Sequence, residues 1–299
     1  MARTSKIVRI TVIVLTFVAS VCSLSAQTLL TDSAYSNAVR RMKTFSVMLP
    51  QSYGSREASY RYPVLYLLHG WGGGYRDWAL KTRLREYLSW YDLIVVMPDA
   101  ENSWYVNSAT NPLLRYEEYF ATELPALIAT RYAADTSRQA IAGLSMGGYG
   151  AMMLALKYPT KYAMAGSFSG ALTMPRDLAL REGLNRAANT NNGDFAVPSL
   201  QEAFGSEKSM SRDTNNIFTL WKRSVSLDSV PKRRTTYFYI ATGIQDPLIV
   251  PGNREFRDSL YTAKFRYEYH ETPGKHSWEY WNEALRTFLP RLLEIMERL

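Results

Sequence analysis

A serine stands between two glycines in the segment Gly-Leu-Ser-Met-Gly, residues 143–147, and such a serine can be used as a nucleophile. The apolar run 140–142 before it is typical of a buried strand, and residues 146–157 after it are typical of a helix. Ser145 therefore falls on the sharp strand-to-helix turn that the pattern G-x-S-x-G requires, where neighbouring glycines leave room for it. We interpret Ser145 as a candidate nucleophile, the alternative being an inert serine on a flexible glycine turn.

A serine hydroxyl needs an imidazole to take its proton and an acid to hold that imidazole in the right tautomer. The chain contains three histidines, His69, His270 and His276. In a strand–turn–helix site of this kind the order along the chain is serine, acid, histidine, which excludes His69 as the base. His276 follows a Pro-Gly pair where a strand passes into a loop, whereas His270 belongs to the alternating pattern of the strand itself. We predict His276 as the base and a structural role for His270.

The acid is expected at the end of a strand between the serine and the histidine. Residues 236–242 are rich in aromatic and β-branched side chains, and a turn containing Asp246 follows them. Asp246 is the predicted acid, although Asp-Pro is also favourable turn chemistry in its own right. Glu271 is the second candidate, because it lies at the end of the strand that leads to the predicted base.

A glycine-rich loop, residues 69–74, follows the apolar run 62–68. Backbone N–H groups of such a loop can approach a reacting carbonyl without obstruction by side chains. We expect the amides of Trp71 and of Met146, the residue after the nucleophile, to form an oxyanion hole. A phosphate-binding loop is disfavoured, because no Lys-Ser/Thr pair follows and the glycine spacing does not match the dinucleotide pattern.

Strand and helix patterns alternate along the chain. The predicted strands are 62–68, 93–97, 139–142, 162–168 and 236–242, and the predicted helices are 116–132 and 146–157. This alternation predicts an α/β fold with crossover connections and a mostly parallel, twisted sheet covered by helices on both faces. The pattern lapses over residues 171–234, a long polar stretch between nucleophile and acid, which we interpret as a lid-like insertion over the site.

The segments that carry these residues resemble the esterase D group of α/β-hydrolases, which includes feruloyl and acetylxylan esterases, tributyrin esterases, S-formylglutathione hydrolases and mycolyltransferases. The resemblance spans about residues 39–292 and rests on seven segments in order: 45–50, 67–70, 96–99 with 102–104, 142–150, 167–170, 243–246 and 274–278. It implies an α/β-hydrolase fold. Carried across by position, it also implies a nucleophile, acid and base at Ser145, Asp246 and His276, with oxyanion amides at Trp71 and Met146.

The function that this resemblance implies is ester hydrolysis by a serine esterase, on acetyl, feruloyl or other short acyl esters of carbohydrates. Aromatic residues in or near the loops after two strands, Trp78 and Trp104 among them, are candidates for stacking on a sugar or an aromatic acyl group, or for packing at the rim. Two other enzyme activities are the alternatives. One is acyl transfer to an alcohol, as in mycolyltransferases, and the other is thioester hydrolysis, as in S-formylglutathione hydrolases. A carbohydrate-binding module with a degenerate site is disfavoured, since a complete set of triad residues is present.

The N-terminus has the layout of a secretory signal. Three basic residues within positions 3–9 precede the uncharged apolar stretch 10–21, and Leu-Ser-Ala at 24–26 completes the pattern. We expect residues 1–26 to be a signal peptide that is cleaved after Ala26, which leaves residues 27–299 as a single secreted or periplasmic esterase domain. An uncleaved anchor is the alternative, but the apolar stretch is shorter than the roughly twenty residues that a membrane span needs.

Charge and composition exclude several other function classes. Cleavage would lower the formal net charge from +8 to +5 by removing three basic residues, and the remaining short basic runs lack the basic and aromatic stripe of a nucleic-acid surface. Cys22 is the only cysteine, so the mature chain would have neither disulfides nor thiolate metal sites. The scattered histidines provide no metal-binding pair. We expect an ester substrate as the partner, without nucleic acid, metal, cofactor or a membrane span after cleavage.

Overall fold

The computed structural model describes residues 27–176, 196–206, 214–225 and 235–298. The predicted signal peptide, 1–26, lies outside the described residues, as does a large part of the predicted insertion, 171–234. The described chain contains one eight-stranded sheet. Its strands are β1 (Thr28–Ser36), β2 (Arg41–Leu49), β3 (Tyr62–Leu68), β4 (Ile94–Pro98), β5 (Ala134–Leu144), β6 (Met164–Phe168), β7 (Tyr237–Gly243) and β8 (Tyr267–Thr272).

The strands lie in the order β1-β2-β4-β3-β5-β6-β7-β8. The first two pairs, β1 with β2 and β2 with β4, are antiparallel, and all pairs from β4 to β8 are parallel. Parallel neighbours need long crossover connections, and the helices supply them. The prediction of a mostly parallel sheet in an α/β fold is confirmed.

The central strands are buried along their whole length, as expected of a parallel sheet that is covered on both faces. Every residue of β3, β4, β6 and β7 is buried, and each of these strands is an almost continuous apolar or aromatic run. The edge strand β1, by contrast, is rich in serine and threonine and mostly accessible to solvent. Burial of the apolar runs is therefore what places β3 to β7 at the centre of the sheet.

Helices cover both faces of this sheet. They are α1 (Asp77–Lys81), α2 (Leu84–Leu88), α3 (Tyr116–Glu118), a π-helical turn (Tyr119–Glu123), α4 (Leu124–Arg131), α5 (Met146–Lys157), α6 (Ala196–Phe204), α7 (Ile217–Val225), α8 (Val250–Thr262) and α9 (Trp278–Glu297). One apolar cluster contains side chains of α4, α5 and α8, and a second contains those of α1, α2 and α9. The predicted helices on both faces are thus observed, with one core on each side. Within the described segments, no helix combines the length and hydropathy of a membrane span.

Some predicted elements differ in their bounds. The predicted helix 116–132 is observed as α3, the π-helical turn and α4 in succession, and the strand predicted at 139–142 starts earlier, at Ala134. The helix predicted at 146–157 has the observed bounds of α5. The early start of β5 is polar, Asp-Thr-Ser-Arg, and lacks the apolar run by which the strand was predicted.

The parallel pairing brings the carboxyl ends of several strands to one edge. Leu68 pairs with Gly143, Leu144 with Phe168, and Gly243 with Thr272, so that these strand ends are level. The loops that follow them must meet at this edge, which is where ligands bind in open α/β sheets. The predicted triad and oxyanion residues, Ser145, Asp246, His276, Trp71 and Met146, lie on or next to these loops.

Candidate active site

Ser145 lies on a strained turn between β5 and α5. Its backbone has φ 51° and ψ −115°, a conformation that a residue with a side chain rarely adopts. The turn is held on both sides, because the Ser145 N–H donates to the Phe168 carbonyl at 3.0 Å and the Ser145 carbonyl accepts from the Ala171 N–H at 3.1 Å. Such strain is characteristic of the nucleophile turn in this class of site.

The glycines on either side of the serine are required sterically. A Cβ on Gly143 would lie 2.6 Å from the Gly147 carbonyl carbon and oxygen. A Cβ on Gly147 would lie 2.6 Å from the His69 carbonyl oxygen and 2.7 Å from that of Leu68. The start of α5 therefore packs directly on the backbone at the end of β3.

His276 lies between Ser145 and Asp246 at the edge of the sheet. The Nε2 atom of His276 lies 3.0 Å from the Oγ atom of Ser145, and its Nδ1 atom lies 2.6 Å from the Oδ2 atom of Asp246. Ser145 and Asp246 are 8% and 5% exposed, whereas about a third of the His276 side chain is accessible. A carboxylate on Nδ1 retains the proton there and leaves Nε2 free to accept the serine proton.

The loops that carry the acid and the histidine are bonded to each other. The Gln245 N–H donates to the Gly274 carbonyl at 2.9 Å, and the Gly274 N–H donates in return to the Gln245 side-chain oxygen. A Cβ on Gly243 would lie 2.3 Å from the Gly274 carbonyl oxygen, so the two backbones are in close contact. The separation of Asp246 and His276 is thus determined by backbone contacts as well as by their own hydrogen bond.

Glu271, the second candidate for the acid, has other partners. Its carboxylate accepts hydrogen bonds from Arg254, at 2.9 Å from Nε, and from the Tyr269 hydroxyl at 2.7 Å. The Arg254 guanidinium holds the pKa of Glu271 at about 2. His270 lies 3.2 Å from a Glu268 oxygen and next to the Tyr239 ring. The structure therefore brings Asp246, and not Glu271, to His276.

His69 orients the predicted oxyanion loop. It is buried, and its Nε2 atom accepts from the Ala100 N–H at 2.9 Å, so Nδ1 carries the proton and donates to the Gly70 carbonyl at 2.7 Å. The same carbonyl accepts from the Gly73 N–H at 3.0 Å. The Gly70 carbonyl and the Trp71 N–H share one planar peptide and point in opposite directions, so these bonds orient the Trp71 N–H. Sequence reasoning excluded His69 as the base but did not anticipate this role.

The predicted oxyanion loop lies beside the serine. A Cβ on Gly70 would be 3.5 Å from the Ser145 Cβ atom. Neither the Trp71 amide nor the Met146 amide donates to an acceptor of the described residues. The Trp71 indole donates to Ser199 Oγ of α6 at 3.0 Å. Both amides are thus without an acceptor among the described residues, in the two segments that meet at Ser145.

Tyr105 also holds the glycine-rich loop 69–74, at its first residue. Its hydroxyl donates to the His69 carbonyl at 2.8 Å, and burial raises its pKa well above the usual value, which keeps the hydroxyl protonated as a donor. The residue is fully buried and packs on Phe120. It is part of the support for the loop.

The structure corrects the prediction for two tryptophans. Trp78 and Trp104 are candidates from the sequence for stacking on substrate or for packing at the rim, but each is only 1% exposed. The Trp78 indole donates to the Leu68 carbonyl at 2.9 Å and packs edge-on against Phe168, whereas Trp104 packs against Tyr149 and Phe204. Both rings are core side chains, because a large apolar ring gains more from burial than from exposure at a loop.

The sheet order, the strained turn at Ser145 and three side chains on loops after β5, β7 and β8 define an α/β-hydrolase, which confirms the predicted fold. The profile of the Esterase family, described as "Putative esterase", matches residues 36–292. The chain belongs to this family, so the expectation of a carboxylic ester hydrolase is confirmed. No group of three or more acidic, histidine or cysteine side chains placed to hold a metal ion occurs among the described residues.

Individual proteins of known sequence or structure are similar to most of the chain. An acetyl esterase of Caldicellulosiruptor saccharolyticus is 29% identical over 263 residues, which cover 84% of this chain and 92% of that protein. The structure of FphF, a fluorophosphonate-binding serine hydrolase of Staphylococcus aureus, has a TM-score of 0.75 at 24% identity and covers 89% of this chain and 98% of that one. The S-formylglutathione hydrolase FrmB of the same organism has a TM-score of 0.73 at 23% identity, with the same coverage. At these identities the two structures bear on the fold alone.

The packing at the turn makes a prediction about stability. Gly147→Ala places a methyl group within 2.8 Å of backbone atoms of Leu68 and His69, which cannot move without disturbing β3. We expect it to lower the free energy of unfolding by about 1–3 kcal/mol or more, measured by urea denaturation. Gly74→Ala is the control, because nothing lies within 4 Å of its Cβ position. Equal stability of the two variants would contradict the close packing described above.

Proposed function

We propose that Ser145, His276 and Asp246 are the nucleophile, base and acid of the ester hydrolase, and that the Trp71 and Met146 amides form its oxyanion hole. The observation that carries this proposal is the continuous chain of hydrogen bonds, 3.0 Å from Ser145 to His276 and 2.6 Å from His276 to Asp246. The two contacts join the turn after β5, the loop after β8 and the loop after β7. A nucleophile within hydrogen-bond reach of a base that a third group orients is the arrangement required for covalent catalysis.

In the first half of the reaction, the Ser145 oxygen forms a bond to the ester carbonyl carbon while His276 Nε2 takes the hydroxyl proton. The negative charge that develops on the carbonyl oxygen is stabilised by the two amides, and Asp246 stabilises the imidazolium. Collapse of the tetrahedral intermediate breaks the carbon–oxygen bond to the alcohol, which leaves with the proton from His276. The acyl group remains on Ser145.

In the second half, water attacks the acyl-enzyme as His276 takes one of its protons. The same amides hold the second oxyanion, and the bond to Ser145 breaks as the imidazolium returns the proton to the serine oxygen. The carboxylic acid is released and the starting protonation states are restored. Acyl transfer would differ only in the acceptor, since a sugar hydroxyl would replace water.

We propose short acyl esters of carbohydrates, acetyl esters first, as the substrates. The similarity to an acetyl esterase over most of both chains supports this choice. We further propose that residues 171–234 form an insertion over the site within a single esterase domain at 27–299. The bond from the Trp71 indole to Ser199 supports it, because α6 belongs to that segment and reaches the oxyanion loop.

We propose that the enzyme acts outside the cytoplasm. The signal pattern of residues 1–26 supports export, and an exported enzyme would meet polysaccharide esters. An intracellular thioesterase of the S-formylglutathione hydrolase type does not agree with that pattern.

Ser145→Ala tests the nucleophile. We expect the variant to lose at least about a thousandfold in kcat on p-nitrophenyl acetate and on acetylated xylan, and to lose covalent labelling by a fluorophosphonate probe. Ser89→Ala, at an exposed serine that bonds to its own helix, should keep both properties. A Ser145→Ala protein that still turns over substrate or is still labelled would disprove the assignment. Wild-type preference for S-formylglutathione over acetylated xylan would disprove the proposed substrate class alone.

Asp246→Asn and Glu271→Gln test which carboxylate serves the histidine. Asp246→Asn presents an amide to Nδ1 and favours the wrong imidazole tautomer, so we expect kcat to fall by on the order of 10³-fold or more. Glu271→Gln removes a charge near the end of β8 that is paired with Arg254, and we expect activity within about twofold of the wild type. Steady-state kinetics on p-nitrophenyl acetate measures both, and the reverse ranking would assign the acid to Glu271.

The mass of the exported protein tests the signal peptide. When the full chain is expressed in a bacterial host with its own N-terminus, we expect periplasmic or secreted protein whose intact mass corresponds to a start at Gln27. A chain that lacks residues 2–26 should remain in the cytoplasm. An unprocessed mass in the membrane fraction would instead support an uncleaved anchor.

A further inference from the structure

Asn102 contacts the oxyanion loop from the loop that follows β4. Its side-chain oxygen Oδ1 accepts the Gly72 N–H at 2.7 Å. Gly72 has φ 70° and follows Trp71 directly, in a run of three glycines. This hydrogen bond joins loops that lie thirty residues apart in the chain.

The bond acts on the peptide that adjoins the proposed donor. Two peptide planes meet at the Trp71 Cα atom. The first contains the Gly70 carbonyl and the Trp71 N–H, and His69 and the Gly73 N–H hold it through that carbonyl. The second contains the Trp71 carbonyl and the Gly72 N–H, and Asn102 holds it. Because glycine places little steric restriction on rotation, the second plane needs a partner of this kind to stay in one orientation.

Asn102 is itself held from both sides. The preceding residue, Glu101, donates its N–H to Asp99 at 3.0 Å, and its carboxylate lies 2.9 Å from the Nζ atom of buried Lys43. Two residues further on, the Trp104 ring is buried between α5 and α6. Glu101 and Trp104 both have positive φ, 51° and 56°, so the backbone around Asn102 is held in a conformation that these contacts must maintain.

We propose that Asn102 is a positioning residue of the oxyanion hole. It holds the Trp71–Gly72 peptide, and through the shared Trp71 Cα atom this helps to keep the neighbouring Trp71 N–H directed at the oxyanion formed at Ser145. The inference rests on the proposed function. Asn102 makes no contact with substrate in this proposal. Its loss would raise the energy of the transition state, because the oxyanion exists only there and in the tetrahedral intermediate. Asn102 is only half-buried, and among the described residues its side chain makes no hydrogen bond except that to Gly72, so its removal should spare the fold.

The test compares Asn102→Ala and Asn102→Leu with Asn111→Ala. Leucine retains the branched shape of asparagine without the acceptor. Asn111 is the matched control, because its Oδ1 atom accepts the Leu113 N–H at 3.0 Å in the same connection between β4 and α3. Removing an oxyanion donor outright costs on the order of 10²–10³ in kcat, and a displaced donor should cost less. We expect both Asn102 variants to lose about tenfold in kcat on p-nitrophenyl acetate with KM within about twofold, and Asn111→Ala to match the wild type.

A second measurement separates positioning from a general structural role. A trifluoromethyl ketone forms a tetrahedral adduct with the serine, and its oxyanion occupies the hole. Its inhibition constant should rise by about the same factor as kcat/KM falls, at an unchanged melting temperature. Asn102 variants with wild-type kcat, or with losses that leave the ketone affinity unchanged, would overturn the inference and leave the triad assignment intact. An inactive wild-type enzyme would overturn the proposed function itself.

Discussion

The strained backbone of Ser145 is the constraint on which the rest of the site depends. A residue with φ 51° and ψ −115° carries a cost on the order of 1–3 kcal/mol, and it persists only where the surroundings leave it no alternative. Here the surroundings are the carbonyl of Phe168, the N–H of Ala171 and the close contact of Gly147 with the end of β3. The parallel pairing of β5 with β3 and β6 brings these segments next to Ser145, so the same pairing that stabilises the fold presents the hydroxyl at the edge of the sheet.

The loops around this turn are hydrogen-bonded to one another. The loop of Asp246 and the loop of His276 share backbone hydrogen bonds, and the glycine-rich loop 69–74, the proposed oxyanion loop, is held by His69, Asn102 and Ser199. Such cross-links would preorganise the proposed oxyanion donors before substrate binds, and preorganised donors need no reorganisation during the reaction. Helix α6 is part of this network, because it carries Ser199.

Much of the fold and the candidate site could be predicted from local signals. The pattern of glycines around Ser145 has a steric cause that acts within a few residues, and β3 and α5 have the predicted bounds because apolar runs determine them. The tryptophans show where such reasoning fails. Trp78 and Trp104 stand near loops in the chain, as an exposed stacking residue would, and only the packing of Phe168, Tyr149 and Phe204 around them makes them core residues.

The sequence by itself determined the residue types, their order along the chain and the strand ends at which they stand, and from these the fold class and the three candidate side chains follow. The tertiary structure decided the choices between near neighbours. Asp246 rather than Glu271 meets His276, because Arg254 and Tyr269 engage Glu271. His69 orients a peptide instead of accepting the serine proton. The physical reason is that a hydrogen bond forms only when the donor–acceptor distance is correct to within a few tenths of an ångström. Only the packing of segments that are remote in the chain sets a distance that closely.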